Sequence, residues 1–383
     1  MSSSTGLSVV LAGGGSTGHV APLLALADCL RRRDPEVGVV ALGTAEGLEA
    51  RLVPEAGYDF AVVPRVPLPR RPSADLGRLP WRLRSAVGAA SRAMQEAQAQ
   101  VVVGFGGYVS TPAYLAARRL GLPIVVHEQN ARPGLANRLG ARFTPYVAAT
   151  FPGTPLRGAR VLGMPLRQQI TGLDRAARRD EALAAFGLER GRTTLLVFGG
   201  SLGAQRLNVT FGRSREALAA AGVQVLHVTG RGKTVEDLPV TGDVATLPGG
   251  PPYVAVEYLD RMELAYAAAD AVVCRAGAGT VCELTTVGLP AAYVPLPIGN
   301  GEQRLNAEPV VGAGGGLLVD DGQCTPEWVR ESLLPLLTDP GELAAMGKAA
   351  AAFAITDGDE RLADLVEVAV TEAGRARARR VGS

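Results

Sequence analysis

Three glycine-rich turns carry the chemistry of this chain, and each ends a short apolar run and opens a helix-like stretch. They are Leu11-Ala12-Gly13-Gly14-Gly15-Ser16-Thr17-Gly18-His19, Phe198-Gly199-Gly200-Ser201-Leu202-Gly203-Ala204 and Cys274-Arg275-Ala276-Gly277-Ala278-Gly279-Thr280. Such a turn aims free backbone N–H groups and the positive end of a helix dipole at one point, an arrangement that binds phosphate without a metal. His19 opens the first helix, where the dipole depresses its pKa and keeps the ring neutral, as a general base must be. A histidine packed at a turn is the plain alternative. His127-Glu128-Gln129-Asn130 follows Ile124-Val125-Val126, so polar groups project from a strand end and suit sugar hydroxyls. An Asn/Glu cap for the next helix is the alternative there. Ser201 offers a hydroxyl and amides to a phosphate, as an N-cap also would, and Thr280 can bond a phosphate oxygen. Glu283, one turn beyond Thr280, can accept both hydroxyls of a ribose or simply favour the dipole. Glu302, Gln303 and Asn306 share one helix region and suit sugar hydroxyls, unless that region is a solvated helix start.

Several chemistries lack their residues. No G-x-x-x-x-G-K-[ST] occurs, and only two lysines, Lys233 and Lys348, accompany 37 arginines, so a P-loop ATPase is excluded. A dinucleotide fingerprint fits Gly13 to Gly18 loosely, but the second strand ends in Gly43-Thr44 rather than an acid. No D-x-D follows a strand; Asp357-Gly358-Asp359 has that spacing but precedes the last helix. No G-x-S-x-G elbow appears. A metal-dependent sugar transferase and a serine hydrolase are therefore disfavoured, and no metal or cofactor is expected. Cys29, Cys274, Cys282 and Cys324 are scattered in apolar contexts, as core residues of a reducing compartment would be.

The elements that must position these residues alternate. Residues 7–12, 37–42, 60–63, 101–103, 124–127, 146–149 and 159–162 read as strands. Residues 20–33, 46–56, 81–99, 111–120 and 133–140 read as helices, with a proline- and arginine-rich loop over 64–80. Gly163-Met164-Pro165-Leu166-Arg167 reads as a hinge. After a charged helix at 174–186 the pattern restarts. Strands fall at 193–198, 224–228, 254–257, 271–274 and 291–294, and helices at 207–221, 262–268 and 281–287. Near-continuous apolar strands between helices mean parallel sheets covered on both faces, hence an α/β chain of two domains. Ligands of such sheets bind at the carboxyl ends of the strands, where all three turns lie. A last helix at 361–373 precedes Arg375-Ala376-Arg377-Ala378-Arg379-Arg380, read as a frayed, solvated tail.

At 383 residues with 47% hydrophobic and 20% charged content, the chain is globular and too long for one core. Residues 1–166 carry a net charge of +8 and residues 167–383 one of −6. A basic half in a near-neutral protein points to an anionic partner. Its arginines mix with Trp81, Leu83 and Leu68 rather than with stacking aromatics, which favours a membrane surface over nucleic acid. No signal peptide is evident, and no run of about 18 apolar residues spans a bilayer. The expected location is the cytosol or the cytosolic face of a membrane.

The three turns, with Gly104-Phe105-Gly106-Gly107-Tyr108-Val109-Ser110, His127-Glu128-Gln129-Asn130 and Glu283, occur in an order and spacing that resembles glycosyltransferase family 28. Within that family the chain is similar to the N-acetylglucosaminyltransferases of bacterial peptidoglycan synthesis, over roughly residues 7 to 355. The resemblance implies a GT-B fold, two Rossmann-like domains with parallel sheets facing a central cleft. The domains would be 1–166, joined by a helix within 356–383, and 167–355. It implies inverting transfer of N-acetylglucosamine from UDP-N-acetylglucosamine to lipid I at the cytoplasmic face of the membrane, with a cell-wall synthesis complex as possible setting. The lipid acceptor would lie on the first domain and the donor mainly on the second. Ser16, Thr17 and Gly18 would form a diphosphate edge, His19 would be the base for the acceptor's 4-hydroxyl with Glu128 as the second catalytic candidate, and Asn130 with Glu128 would hold sugar or acceptor. Arg167 and Ser201 would meet donor phosphates, and Leu259 and Met262 would border the uracil. Ala278, Gly279 and Thr280 would lie along the diphosphate, Glu283 on ribose, and Gln303, with Glu302 and Asn306, on the sugar hydroxyls. Four positions depart from the family's usual pattern: Ser16-Thr17 where Thr-Gly is commoner, Leu202 for Gln, Gly279 for Leu, and Glu302 for Gln. Other GT-B enzymes, glycolipid or natural-product transferases and UDP-N-acetylglucosamine 2-epimerases, are the rival reading. A nucleotide-sugar-binding scaffold without turnover is the rival outside enzymes.

Overall fold

The structure, a computed structural model, describes residues 6–66, 79–200, 204–235, 244–246 and 250–381. Leu68 and most of the loop expected over 64–80 lie outside the described residues. The chain forms two compact units, Met1–Arg167 with Ile355–Ser383, and Gln168–Ala354.

In the first unit, β1 (Ser8–Gly13), β2 (Gly38–Gly43), β3 (Asp59–Val62), β4 (Val101–Gly106), β5 (Ile124–Glu128), β6 (Tyr146–Ala149) and β7 (Ala159–Val161) make one sheet. All six pairings are parallel, in the order β3-β2-β1-β4-β5-β6-β7. Crossover helices α1 (Thr17–Arg33), α2 (Glu49–Glu55), α3 (Leu79–Glu96), α4 (Gly107–Leu120) and α5 (Leu135–Gly140) connect these strands. The strand order reverses between β1 and β4, which is where a doubly wound sheet opens its ligand crevice. The β1–α1 and β4–α4 turns both lie there, and the β1–β4 register shifts between Ala12 and Gly13 as the strand gives way to the first turn.

The second unit starts with α6 (Gln168–Thr171) and α7 (Arg175–Ala185). Its sheet comprises β8 (Thr194–Phe198), β9 (Gln224–Val228), β10 (Val244–Thr246), β11 (Pro252–Val256), β12 (Ala271–Cys274), β13 (Ala291–Tyr293) and β14 (Gly316–Leu318), in the order β10-β11-β9-β8-β12-β13-β14. Here the order reverses between β8 and β12, and the other two glycine turns leave those two strands. The sheet is parallel except at one edge, where β10 runs antiparallel to β11. Its helices are α8 (Gln205–Arg213), α9 (Arg215–Ala220), α10 (Met262–Ala268), α11 (Ala278–Thr286) and α12 (Glu302–Gly312). The single helix expected over 207–221 is thus two, broken at Ser214, whose hydroxyl bonds back to the Thr210 carbonyl. α13 (Pro326–Trp328) runs through a π-helical stretch into α14 (Leu334–Leu337), followed by α15 (Pro340–Ala351).

The last helix, α16 (Gly358–Val381), belongs to the first unit. Leu362, Leu365 and Val366 are buried with Leu23, Leu26 and Leu30 of α1, each worth about 1.5–3 kcal/mol by burial alone. Arg32 and Arg33 close the rim of this contact on Asp359, Glu360, Asp364 and Glu367. Exposed pairs of this kind add about 0–1 kcal/mol each. The helix also continues past residue 373, so the tail expected there is helical rather than frayed, while residues 375–379 are exposed as expected. Arg377 donates to the Gly121 carbonyl at 2.8 Å, and arginines suit the negative end of the helix dipole.

Candidate active site

Each unit gathers its chemistry-bearing residues at its own switch point. In the first, Ser16 is the extended N-cap of α1, and its Oγ lies 2.9 Å from His19 Nδ1. His19 stands in the helix's first turn, its backbone N–H bonded to the Ser16 carbonyl. Its pKa is lowered, as expected, but chiefly by burial; a bond to the Gly14 backbone and the charge of Glu49 oppose the shift. Gly106 and Gly107, with φ of +97° and +79°, let the β4–α4 turn press on this loop. A Cβ at Gly106 would sit 3.1 Å from His19 Nε2, and one at Gly107 2.4 Å from the Gly14 carbonyl oxygen. Ser110 ties the same turn to the end of β1, its Oγ accepting from Gly106 N–H and lying 2.9 Å from the Ala12 carbonyl oxygen.

The polar run at the end of β5 faces inward. Glu128 is buried, and its carboxylate accepts from the backbone N–H groups of Asn130 and Gly134 and from Asn137 Nδ2 at 2.9–3.0 Å. Burial raises its pKa against those bonds. It therefore anchors the loop that carries Asn130. Asn137 is itself held by the Tyr114 hydroxyl at 2.8 Å, in a site that Gly104 and Gly140 leave open for the phenol ring. His127 is buried against Phe105, with Nε2 2.9 Å from the Gly163 carbonyl oxygen and a pKa lowered by burial to about 4. Its ring is thus a neutral fixture beneath the loop. Gly18 is exposed on the first loop, and Thr17 begins α1.

In the second unit, Ser201 lies outside the described residues, as do Leu202 and Gly203. Gly200 precedes them with φ +88° and nothing within 4 Å of an added Cβ. α11 starts at Ala278 with Gly277 as its extended N-cap and no acidic residue in the first turn, so its N–H groups are arranged for an anion. Gly279 and Thr280 are partly exposed at that end, and an added Cβ at Gly279 would meet nothing within 4 Å. Glu283 accepts from the Tyr266 hydroxyl at 2.6 Å, which sets its orientation. Leu259 and Met262, at the start of α10, are both partly buried. Gln303 Oε1 accepts from Leu296 N–H at 2.9 Å, and Glu302 exchanges bonds with Asn300. Asn306 is 1% exposed and donates to the Ala276 carbonyl at 3.2 Å, so it supports the β12–α11 turn from beneath. Arg275 backs the same turn, paired with Asp321 at 2.7 Å and bonded to the Val294 and Pro295 carbonyls. Arg167 is exposed at the end of the first unit's main stretch and meets no acidic partner among the described residues.

Comparison with known proteins matches residues 9–149 to the glycosyltransferase family 28 N-terminal domain and residues 194–362 to its C-terminal domain. The chain belongs to glycosyltransferase family 28. Family 28 relatives resemble it end to end. A Streptomyces avermitilis protein named "UDP-N-acetylglucosamine--N-acetylmuramyl-(pentapeptide) pyrophosphoryl-undecaprenol N-acetylglucosamine transferase" is 58% identical, across 94% of this chain and 98% of that protein. One of the same name from Mycolicibacterium smegmatis is 54% identical, across 98% and 97%. Among solved structures, Acinetobacter baumannii MurG superposes with a TM-score of 0.74 at 28% identity, covering 94% of this chain and 99% of that one. A Neisseria meningitidis UDP-GlcNAc 2-epimerase shares the fold alone, with a TM-score of 0.64 at 14% identity. The fold is therefore that of the GT-B glycosyltransferases, as the sequence motifs implied.

Set on this family 28 framework, the first unit brings together Ser16, Gly18, His19 and the Asn130 loop, and the second gathers Gly279, Thr280, Glu283, Glu302 and Gln303. Sequence reasoning missed Glu49. A dinucleotide fingerprint asks for an acid at the end of β2, where Gly43-Thr44 stands. The acid that serves the first loop lies five residues beyond Thr44, in the first turn of α2, and its carboxylate accepts from Gly15 N–H at 2.9 Å. A first-turn glutamate after a glycine-rich stretch was the available signal.

Proposed function

We propose that this protein transfers N-acetylglucosamine from UDP-N-acetylglucosamine to lipid I, forming lipid II and UDP, with inversion at the anomeric carbon. End-to-end likeness to relatives named for this transfer supports the reading, and a neutral His19 at the first switch point gives it a mechanism. The acceptor's 4-hydroxyl loses its proton to His19 as its oxygen attacks the anomeric carbon, and the bond to UDP breaks. The departing diphosphate is stabilised by the N-terminus of α11, by Thr280 and Ser201, and by the Arg167 guanidinium, in the manner of an oxyanion hole. Glu283 takes the ribose, Leu259 and Met262 flank the uracil, and Ala278 and Gly279 line the phosphates. Gln303 and Glu302 face the sugar, with Asn306 holding their support. The first loop, Ser16 to Gly18, meets the acceptor's diphosphate, and Asn130, held by Glu128, meets its sugar. Purified protein given both substrates should release UDP only when lipid I is present, and a chelator should leave the rate unchanged. Formation of a 2-epimer from donor alone would instead assign the epimerase reading.

A lipid-linked acceptor requires the first unit to work at the cytoplasmic face of the membrane. No helix among the described residues is long and apolar enough to cross a membrane. Trp81 is 76% exposed at the start of α3 and Leu135 70% exposed at the start of α5, and both helices pack on α4. Arg82, Arg84, Arg132 and Arg138 are exposed beside them. Basic groups near an anionic leaflet are worth about 1 kcal/mol each and are screened by salt. Co-sedimentation with vesicles containing phosphatidylglycerol should therefore weaken with rising salt, and Trp81→Ala should weaken it at every salt concentration. Binding that ignores both changes would assign membrane recruitment to another surface.

A further inference from the structure

We propose that Glu49 is a positioning residue for the catalytic loop of the first unit, fixing the Gly15 amide and with it the turn that presents His19. The side chain is fully buried, in the first turn of α2, 34 residues from the amide it holds. Its carboxylate accepts from Gly15 N–H at 2.9 Å, from Thr44 N–H at 2.9 Å and from the Thr44 hydroxyl at 3.0 Å. Among the described residues it has no cationic partner. A buried carboxylate held by neutral donors alone is costly to keep in a fold, and those donors must all be aimed at it. The chain is shaped to admit it. A Cβ at Gly14, Gly43 or Gly47 would lie 2.1–2.3 Å from an atom of the Glu49 side chain, so three separate glycines surround this one group.

The loop so held is the one on which the proposed reaction turns. Gly15 has φ +86°, a conformation open to glycine, and the next residue, Ser16, sets its hydroxyl against His19 Nδ1. The charge of Glu49 also acts on the His19 ring, favouring its protonated form and so its basicity. The remaining groups around His19 come from three directions. Tyr108 of α4 lies under the Arg65 guanidinium, 5.0 Å from its ring centroid; Asn137 of α5 sits near Gly106; and Glu128 of β5 stands behind Asn137. Glu49 is the carboxylate that both fixes the loop and acts on the ring.

The inference rests on His19 as the base, and the test separates the two. Glu49→Gln keeps the shape, removes the charge and turns an NH2 group toward the donors that now face a carboxylate. Turnover should fall about 10–100-fold, as for a misplaced catalytic group. The acid limb of the kcat/KM profile should move to lower pH, because the charge that raised the His19 pKa is gone. UDP affinity, a property of the second unit in this mechanism, should stay near that of the parent, and the melting temperature should fall by only a few degrees for the buried donor left facing the new NH2 group. Glu49→Asp, which fits the same space with its charge kept, should leave the acid limb in place and recover part of the turnover. Parent-like turnover and acid limb in Glu49→Gln would overturn the proposal, as would a joint loss of turnover, UDP affinity and melting temperature in both variants. If His19→Ala itself keeps normal turnover, the base assignment has failed, whatever the Glu49 variants do.

Discussion

His19→Ala should turn over about 10²–10⁴-fold more slowly than the parent enzyme while binding UDP with parent affinity. That range is what a positioned general base contributes, and it corresponds to about 3–5 kcal/mol of transition-state stabilisation. Removing the ring also removes the partner of the Ser16 hydroxyl, but that bond lies at the exposed end of α1, so the fold should persist. The measurement is kcat at saturating donor and acceptor, with UDP affinity by calorimetry as the control. A variant within a few-fold of the parent would require another base. Glu128, at the end of β5, is poorly suited to replace it, because its oxygens already accept three bonds from its own loop and from Asn137.

The pH dependence carries the same assignment with a definite sign. Burial lowers the His19 pKa from the ordinary value of 6.5, so the ring is neutral above that value and remains so somewhat below it. Activity should be flat through neutral pH and fall as pH drops through the lowered pKa. Two further histidines shape the acid end. His127 and His227 are buried and neutral, with pKa values lowered to about 4 and about 3. The unfolded chain binds protons at these rings below about pH 6.5 while the folded chain does not, so stability falls from that pH down to about 4 for His127 and about 3 for His227. Melting curves across the same range separate this loss from the titration of the base.

The placement of the candidate groups at strand ends was legible in the sequence where local pattern and topology agree. Apolar strands ending in glycine turns located both switch points, because a parallel sheet with crossover helices leaves its strand ends as the open edge. Directions were less legible. Glu128 does stand at a strand end and Asn306 lies within α12, yet Asn306 reaches the Ala276 carbonyl and Glu128 its own loop's amides, contacts that only the packed structure defines. Glu49 was missed because its partner Gly15 lies 34 residues away, and its first-turn place in α2 is only a weak local sign of that contact. At the end of α16 the run of arginines and alanines is solvated as read, but it is helical rather than frayed. Arg377 there reaches the carbonyl of Gly121, 256 residues earlier in the chain, a contact that local pattern does not announce.

Glycine-rich turns that look alike in sequence should respond very differently to one added methyl group. Gly107→Ala should lower kcat/KM about 100-fold and the melting temperature with it, whereas Gly279→Ala should leave the melting temperature at the parent value. At Gly107 the backbone has φ +79°, a left-handed conformation that costs a non-glycine residue about 1–2 kcal/mol. The new Cβ would also stand 2.4 Å from the Gly14 carbonyl oxygen, a main-chain atom with no rotamer by which to escape. Something must shift, and what shifts is the loop between Gly14 and His19, or the β4–α4 turn that backs it. A displacement of about 1 Å at a catalytic group is enough for a 100-fold loss. The strain should also lower the melting temperature by a few degrees, since 1 kcal/mol corresponds to about 2–4 °C in units of this size. At Gly279 an added Cβ meets nothing within 4 Å and no positive φ is present, so the first turn of α11 can accept it. Melting curves of the two variants side by side, with steady-state kinetics on Gly107→Ala, decide the matter. Equal responses would mean that neither turn is held by the close packing seen between Gly107 and Gly14. A selective loss at Gly107 would locate the catalytic loop at the first unit's switch point.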